Sequence, residues 1–481
     1  MAKAVVLDET EHVAVIDGFD IQPTKEIKFD VFIRDINIIA RLEKDGMLVM
    51  KEVQYKAYDK VFNGFNVMIQ SNTGSGKTLA YLLPLIMSER RGLIIVPTYE
   101  LATQTYDIAK AFTSRIGINA GQLCIDLRAD IVICTLGKCR EMYMDDRVFC
   151  CIDEADRILE NEVFLNGCFE QFVLVSATMD SKSILKRLIR KCSKSMKIRT
   201  KTKNNIDRII DIDSSTDTKR ILTKNNEEII FYRINIIGEQ IVKEFYINVE
   251  YSYKLFIFIE FLRKNRSKKM IVFFNTINSV VFYYNLLKRM NFSVIAIFGR
   301  LNQRKRKEIM EKYETVGGVL LCTDLMSRGF DFKSVDLVVH FEPSFTLNNY
   351  VHRKGRAGRN RRGKSILFLS NAESGFISEV TNIKEVMYLK KKFVVCDQTS
   401  HEMVIKAVSS PQNTYSGFLT HKIYEMVKND VILHKMAVDA LKSFLRIYEG
   451  NTGEYFNVNS LDLNDITRTF GMKKMPRIDF V

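Results

Sequence analysis

The residues best suited to chemistry form one short run, Thr73-Gly74-Ser75-Gly76-Lys77-Thr78. The apolar Val67-Met68-Ile69 precedes it, and Leu79, Leu82, Leu83 and Leu85 follow at helical spacing. A strand that breaks into a glycine loop and then a helix offers backbone N–H groups to a phosphate, and the helix N-terminus adds partial positive charge. Lys77 is placed to reach the β- and γ-phosphates of a nucleoside triphosphate, and the Thr78 hydroxyl to hold Mg2+. Asp153-Glu154-Ala155-Asp156 follows a second apolar run, Val148–Ile152. A carboxylate directly after a buried strand suits Mg2+ coordination, usually through water, so Asp153 takes that role with Thr78. Its neighbour Glu154 can orient or deprotonate an attacking water for phosphoryl transfer. Much later, His352-Arg353-Lys354-Gly355-Arg356-Ala357-Gly358-Arg359 separates arginines with glycines. That pattern suits guanidinium forks entering a triphosphate site on a neighbouring domain better than it suits a solvated face.

These groups need elements to carry them. From Phe29 to about Lys191 apolar runs alternate with helical patterns, the runs being Val67–Ile69, Gly92–Val96, Ile131–Cys134, Val148–Ile152 and Phe172–Val175. Several lack polar alternation, as expected of strands covered on both faces in a parallel α/β sheet, where ligands sit at the strands' carboxyl ends. Ser176-Ala177-Thr178 sets two hydroxyls at another such end. The rhythm returns over 241–380, with runs at Met270–Phe274, Val294–Phe298, Gly318–Cys322 and Val335–Phe341 and a basic helix from Asn302 to Tyr313. The implied division is an N-terminal extension (1–28), a nucleotide-binding domain (29–191), a polar linker or insertion (192–240) with one extra strand at Ile229–Tyr232, a second α/β domain (241–380) and an extension (381–481).

Composition bounds the partners. The 481 residues give room for two or three domains, and 46% hydrophobic with 27% charged residues is ordinary for a soluble globular chain. A net charge of +15 points to a polyanion, nucleic acid ahead of an anionic membrane. Nine cysteines without paired metal spacing read as reduced, mostly buried thiols of an intracellular protein. No run reaches the length of a membrane span and the start lacks a charged-then-apolar signal, so no membrane role is expected.

Asp153-Glu154-Ala155-Asp156, Ser176-Ala177-Thr178 and the glycine loop together resemble the DEAD-box RNA helicases. The resemblance implies two RecA-like parallel-sheet domains in tandem, α/β in class, acting as a monomeric motor on RNA with ATP and Mg2+. It implies that Gln54 reads the adenine edge while Phe29 stacks on the ring, and that Asp331 binds the ribose hydroxyls. Arg356 and Arg359 would reach the γ-phosphate, with Arg359 as the arginine finger. Asp156, Ser176, Thr178, His352 and Arg353 would couple the two domains, and Phe273 would pack on an arginine of the last motif. RNA phosphates would be met by Thr98, Thr135, Thr276, Gln303, Arg306 and Thr323. The chain departs from the family pattern at Tyr99, where an arginine is usual, and at Met50-Lys51, where proline and threonine are usual. It also has no paired-glycine motif between Ala102 and Thr135, Gly117 and Gly121 standing apart.

Past Val380 the chain continues beyond a two-domain motor. Met436, Ala440, Leu441, Phe444, Leu445 and Tyr448 form an apolar stripe stopped by Gly450, and a second short helix is expected from a cap near Ser460 to Gly471. The order Ala440–Tyr448, Leu461-Asp462-Leu463 and Thr469–Asp479 resembles the mainly helical extension of nucleolar DEAD-box helicases of the Has and Spb types. That implies a nuclear, nucleolar protein acting on precursor ribosomal RNA in large-subunit assembly, with pre-ribosomal proteins as possible neighbours. An RNA-binding clamp or scaffold and a general cytoplasmic helicase are the alternatives.

Overall fold

Strands rich in Val, Ile and Leu with no polar face must be covered on both sides, and two sheets of that kind organise the chain. The computed structural model describes residues 26–72, 74–139, 148–159, 169–178, 184, 187–188, 206–210, 218–223, 228–236, 242–327, 332, 335–358, 363–380, 383–389, 392–395, 414–451 and 455–477. For 206–210, 218–223, 228–230, 386–389, 392–395 and 414–416 it describes backbone alone. Among the described residues no helix is long and apolar enough to cross a membrane.

The first sheet contains β1 (Asn66–Ser71), β2 (Gly92–Val96), β3 (Ile116–Ala120), β4 (Leu123–Ile125), β5 (Ile131–Thr135), β6 (Phe149–Asp153), β7 (Gln171–Ser176), β8 (Ile206–Ile210), β9 (Thr218–Thr223) and β10 (Glu228–Ile236). Their spatial order is β4-β3-β5-β2-β6-β7-β1-β10-β9-β8, parallel from β3 through β10 and antiparallel at both edges. The polar stretch read as a linker thus differs from expectation. β10 pairs in parallel with β1 from Asn66↔Phe231 to Ser71↔Ile236, and β8 and β9 continue the same sheet. The physical reason is an open edge: β1 carries the phosphate loop at the sheet's centre and needs a partner on each side. Register brings the chemistry together, since Asp153 pairs with Val175 and Gln70 with Ser176 across β6, β7 and β1.

The second sheet contains β11 (Val242–Asn248), β12 (Met270–Phe273), β13 (Val294–Ile297), β14 (Val319–Cys322), β15 (Leu337–His340), β16 (Gly363–Leu369), β17 (Lys384–Leu389) and β18 (Lys392–Val395). Its order is β13-β14-β12-β15-β16-β11-β17-β18, parallel but for the last pair, so it too runs past the boundary expected at 380.

The C-terminal helices share the second domain's core. Helix Val431–Glu449 buries Ala440, Leu441, Phe444, Leu445 and Tyr448, and Phe444 and Phe470 pack among Phe282 and Tyr283 of helix Ile277–Arg289. The second helix is Leu463–Thr469, and its cap is Asp462 rather than Ser460, because a carboxylate can accept from both Asn464 and Asp465 N–H groups. Tyr283 donates to the Thr469 carbonyl at 2.9 Å, and Thr469 donates to the Tyr251 carbonyl at 2.9 Å. Beneath them lies a buried polar knot: Tyr251 and Tyr448 both donate to Glu373, and the Lys254 ammonium, 1% exposed, stands 3.8 Å from the same carboxylate. Burial pulls the Lys254 ammonium below its ordinary range, against the pull of Glu373 and Glu342. Glu373→Gln leaves that ammonium buried with its nearest counter-charge gone. Breaking a buried pair costs about 3–5 kcal/mol, so the variant should unfold at clearly lower denaturant concentration. A midpoint equal to the parent's would show that the knot contributes no stability.

Candidate functional site

The loop after β1 is shaped by what its glycines allow. Gly74 and Gly76 have φ of +80° and +94°, and a Cβ on Gly76 would lie 2.6 Å from Gln54 Nε2. Only glycine tolerates both the left-handed backbone and that approach. Lys77 opens helix Lys77–Met87 and folds back over the loop, donating to the Ser71 and Asn72 carbonyls at 2.7 Å each. Ser75 and Thr78 are half-buried at the same turn; Thr73 lies outside the described residues. Gln54 is buried, donating to the Gly76 carbonyl at 3.2 Å and accepting from the Lys51 N–H at 2.8 Å, so its amide ties the loop to helix Glu52–Phe62. Phe29 is a correction: it is 3% exposed within the core around helix Glu52–Phe62 and β1, leaving almost no ring surface for stacking on a base. Its turn, Phe29–Val31, closes onto Ile33, and the apolar ring has gone to the core.

At the end of β6 the carboxylates separate by environment. Asp153 accepts from Tyr81 Oη at 3.0 Å and from the Glu154 N–H at 2.9 Å. Burial first, and the neighbouring Glu154 second, push its carboxyl up to about 6 from 3.8, while Lys77 opposes them. A buried carboxylate that desolvation holds above its ordinary range is an oxygen donor that fits a hard divalent cation. Glu154 has φ of +54°, a left-handed backbone that costs a non-glycine residue about 1–3 kcal/mol. That turn sets its carboxylate 3.5 Å from His352 Nδ1 of the second domain.

Asp156 is the meeting point of both halves. It accepts from Ser176 Oγ at 2.7 Å, from Thr178 Oγ1 at 3.1 Å and from His352 Nε2 at 3.1 Å. Glu154, Asp156 and His352 bring one ligand atom each within 4.8 Å of one another. The two ring nitrogens, however, face different carboxylates, which is the geometry of a bridge between domains rather than of one shared ion. Four of the five residues expected to couple the domains therefore converge.

Arg353 does not. Its guanidinium donates to both Asp324 carboxylate oxygens (2.5 and 2.9 Å), to the Glu342 carbonyl (2.8 Å) and to Asn275 Oδ1 (2.8 Å), and it lies over the Phe273 ring at 5.3 Å. All of these belong to the second domain. Helix Leu347–Lys354 turns about 100° per residue, so His352 faces the first domain while Arg353 faces β12. The aromatic partner expected of Phe273 is present. Arg356 is 1% exposed, its Nε donating to the His352 carbonyl at 3.4 Å; Arg359 and Asp331 lie outside the described residues.

The expected RNA contacts divide. Thr98 and Thr276 are buried helix caps, accepting from Leu101 N–H at 3.3 Å and Ser279 N–H at 2.9 Å. Thr135 and Thr323 are half-buried at or just past the ends of β5 and β14. Gln303 and Arg306 lie at the domain boundary: helix Gln303–Val316 docks on the first domain, with Arg306 Nη1 2.9 Å from Glu100 Oε1 and Gln303 against Gly121, where a Cβ would come within 2.5 Å of its amide. Charge complementarity between facing helices holds Arg306 against Glu100, while the Gln303 amide packs on the turn at Gly121. Sequence reasoning missed Tyr81, Asn275, Asp324 and Glu342, because each acts on a residue remote in sequence. Only Tyr81 carried a signal, one helical turn beyond Lys77. Arg306→Glu would set two carboxylates against each other and part the domains. Fluorophores, one on each domain, should then read a longer distance than in the parent, and unchanged transfer would show that this pair does not hold them.

Comparison with known proteins agrees with the geometry. A DEAD/DEAH box helicase model matches residues 51–186, a helicase conserved C-terminal domain model residues 253–361, and a model of the SPB4-like ATP-dependent rRNA helicase C-terminal extension residues 430–478. Human ATP-dependent RNA helicase DDX18 is 28% identical over 92% of this chain, which spans 65% of that protein. ATP-dependent RNA helicase HAS1 of Saccharomyces cerevisiae is 26% identical over 91% of this chain and 85% of its own length. Among solved structures, Mss116 bound to ssRNA and UDP-BeF superposes with a TM-score of 0.62 at 19% identity, covering 94% of this chain and 92% of that one. S. cerevisiae Dbp5 bound to RNA and ADP BeF3 gives 0.58 at 18% identity over 74% and 94%. These two likenesses are of fold. With tandem RecA-like sheets meeting at Asp156 and His352, and both helicase models laid over them in order, the chain belongs to the DEAD-box family of ATP-dependent RNA helicases and carries an SPB4-like C-terminal extension.

Proposed function

We propose that this helicase remodels precursor ribosomal RNA during assembly of the large ribosomal subunit, in the nucleolus. The observation that carries this reading is the extension: residues matched by the SPB4-like model are built into the second domain's core through Tyr448, Thr469 and Phe470. A general cytoplasmic helicase would have no need of such an element. Relatives named HAS1 and DDX18, aligned along nine-tenths of the chain, support the same assignment.

In this reading Thr73, Gly74, Ser75, Gly76 and Lys77 cradle the triphosphate, Gln54 senses the adenine edge and Asp331 the ribose. Thr78 and Asp153 would hold Mg2+, which would neutralise charge on the phosphates. Glu154 orients the attacking water, and Arg356 with Arg359 approaches the γ-phosphate from the second domain. Because loop and arginines belong to different sheets, neither half stabilises the transferring phosphoryl group alone, and an arginine so placed is worth roughly 10³–10⁵ in rate. RNA held across both domains by groups near Thr98, Thr135, Thr276 and Thr323 favours the closed arrangement, and that differential affinity couples strand bending to hydrolysis.

Lys77→Ala should abolish RNA-stimulated ATP turnover, and wild-type rates in that variant would refute the motor reading. Cross-linking in cells should recover precursor ribosomal RNA above messenger RNA; recovery of messenger RNA alone would move the protein to the cytoplasmic alternative. An intact ATP site that hydrolyses without separating strands would favour the clamp.

A further inference from the structure

The Lys51 side chain is not accounted for by the machinery above. It stands at the N-cap of helix Glu52–Phe62, a poor place for lysine on two physical grounds. Its side chain has no acceptor for the first-turn N–H groups, and its charge adds to the positive end of the helix. Only the Gln54 amide, reaching back to the Lys51 N–H at 2.8 Å, serves as a cap. What the lysine does instead is extend to the phosphate loop. Its Nζ donates to the Gly74 carbonyl at 3.0 Å, and its Cδ runs so close to Gly76 that a Cβ there would lie 3.2 Å away.

Two ammoniums therefore share one loop. Lys77, half-buried, bonds the carbonyls of residues 71 and 72, while Lys51, exposed at the rim, bonds the carbonyl of residue 74. A carbonyl is a weaker partner for an ammonium than a phosphate oxygen is, and a long flexible stem can exchange one for the other without moving backbone.

We propose that Lys51 is a second nucleotide-binding lysine, which moves from the Gly74 carbonyl to a non-bridging phosphate oxygen of the bound nucleoside triphosphate. This rests on the ATP-binding reading of the loop. Lys51 thereby sets affinity through phosphate charge, from outside the glycine loop and from a helix that precedes it in the chain. No covalent step is involved, and the nucleotide's phosphates are recognised whatever base they carry.

Calorimetric titration of the full chain with ATP and with adenosine tests it, using Lys51→Thr, which restores an N-cap hydroxyl while removing the charge, and Lys51→Arg, which keeps the charge. Lys51→Thr should weaken ATP about tenfold, the scale of one charge-assisted hydrogen bond, and leave adenosine unchanged. Its ATP affinity should also fall less steeply with added salt, and Lys51→Arg should restore most of the loss. ATP binding by Lys51→Thr equal to the parent's overturns the proposal. Equal loss for ATP and adenosine also overturns it and makes Lys51 a brace for the loop, as does a loss in Lys51→Arg matching that in Lys51→Thr. Melting midpoints without nucleotide confirm that both variants are folded. A parent chain that binds no ATP would remove the underlying reading and this inference together, a result distinct from failure of the Lys51 variants alone.

Discussion

One imidazole holds the architecture to its purpose. His352 is buried with Asp156 3.1 Å from one ring nitrogen and Glu154 3.5 Å from the other, and the two carboxylates belong to a different sheet from its own. Groups of this kind are taken out of water only when they are paired, so the contact is favourable only while the domains are together. The loop and its carboxylates come from the carboxyl edge of one sheet, and His352 from the helix that follows β15 of the other, with Arg356 just past that helix.

The first domain prepares its side by local means. Glu154 adopts a left-handed backbone directly after the strand, Tyr81 returns from the loop helix to Asp153, and Ser176 and Thr178 take up the remaining valences of Asp156. A carboxylate accepting several hydrogen bonds keeps its direction, and direction is what a bridge between two domains requires. The second domain prepares its side by bracing. Arg353 is spent on Asp324, Asn275, Glu342 and the Phe273 ring, fixing the helix on which His352 stands.

The C-terminal extension changes the mechanical unit. Its helices contribute Phe444, Leu445, Tyr448 and Phe470 to the same core as Phe258, Tyr283 and Phe341, and the Glu373 knot joins Tyr448 to Tyr251. Second domain and extension thus share one packed core, to which the helix bearing His352 contributes Tyr350.

The phosphate loop, the carboxylates after β6, the spaced arginines and the parallel strands were legible from residue order, because each is a short-range pattern: a glycine where the backbone must turn left-handed, an apolar run where both faces are covered. The apolar stripe of helix Val431–Glu449 was legible for the same reason. Whatever depends on which strands become neighbours was not. The polar stretch up to Ile236 reads as a linker residue by residue, yet it completes the first sheet because β1 has an open edge. Phe29 reads as a base-stacking ring and is core; Gln303 and Arg306 read as nucleic-acid contacts and meet Gly121 and Glu100; Arg353 reads as a bridge and is a brace. Spacing settles which face of an element a side chain occupies. What lies opposite that face is set by contacts hundreds of residues apart, and those exist only once the chain has folded.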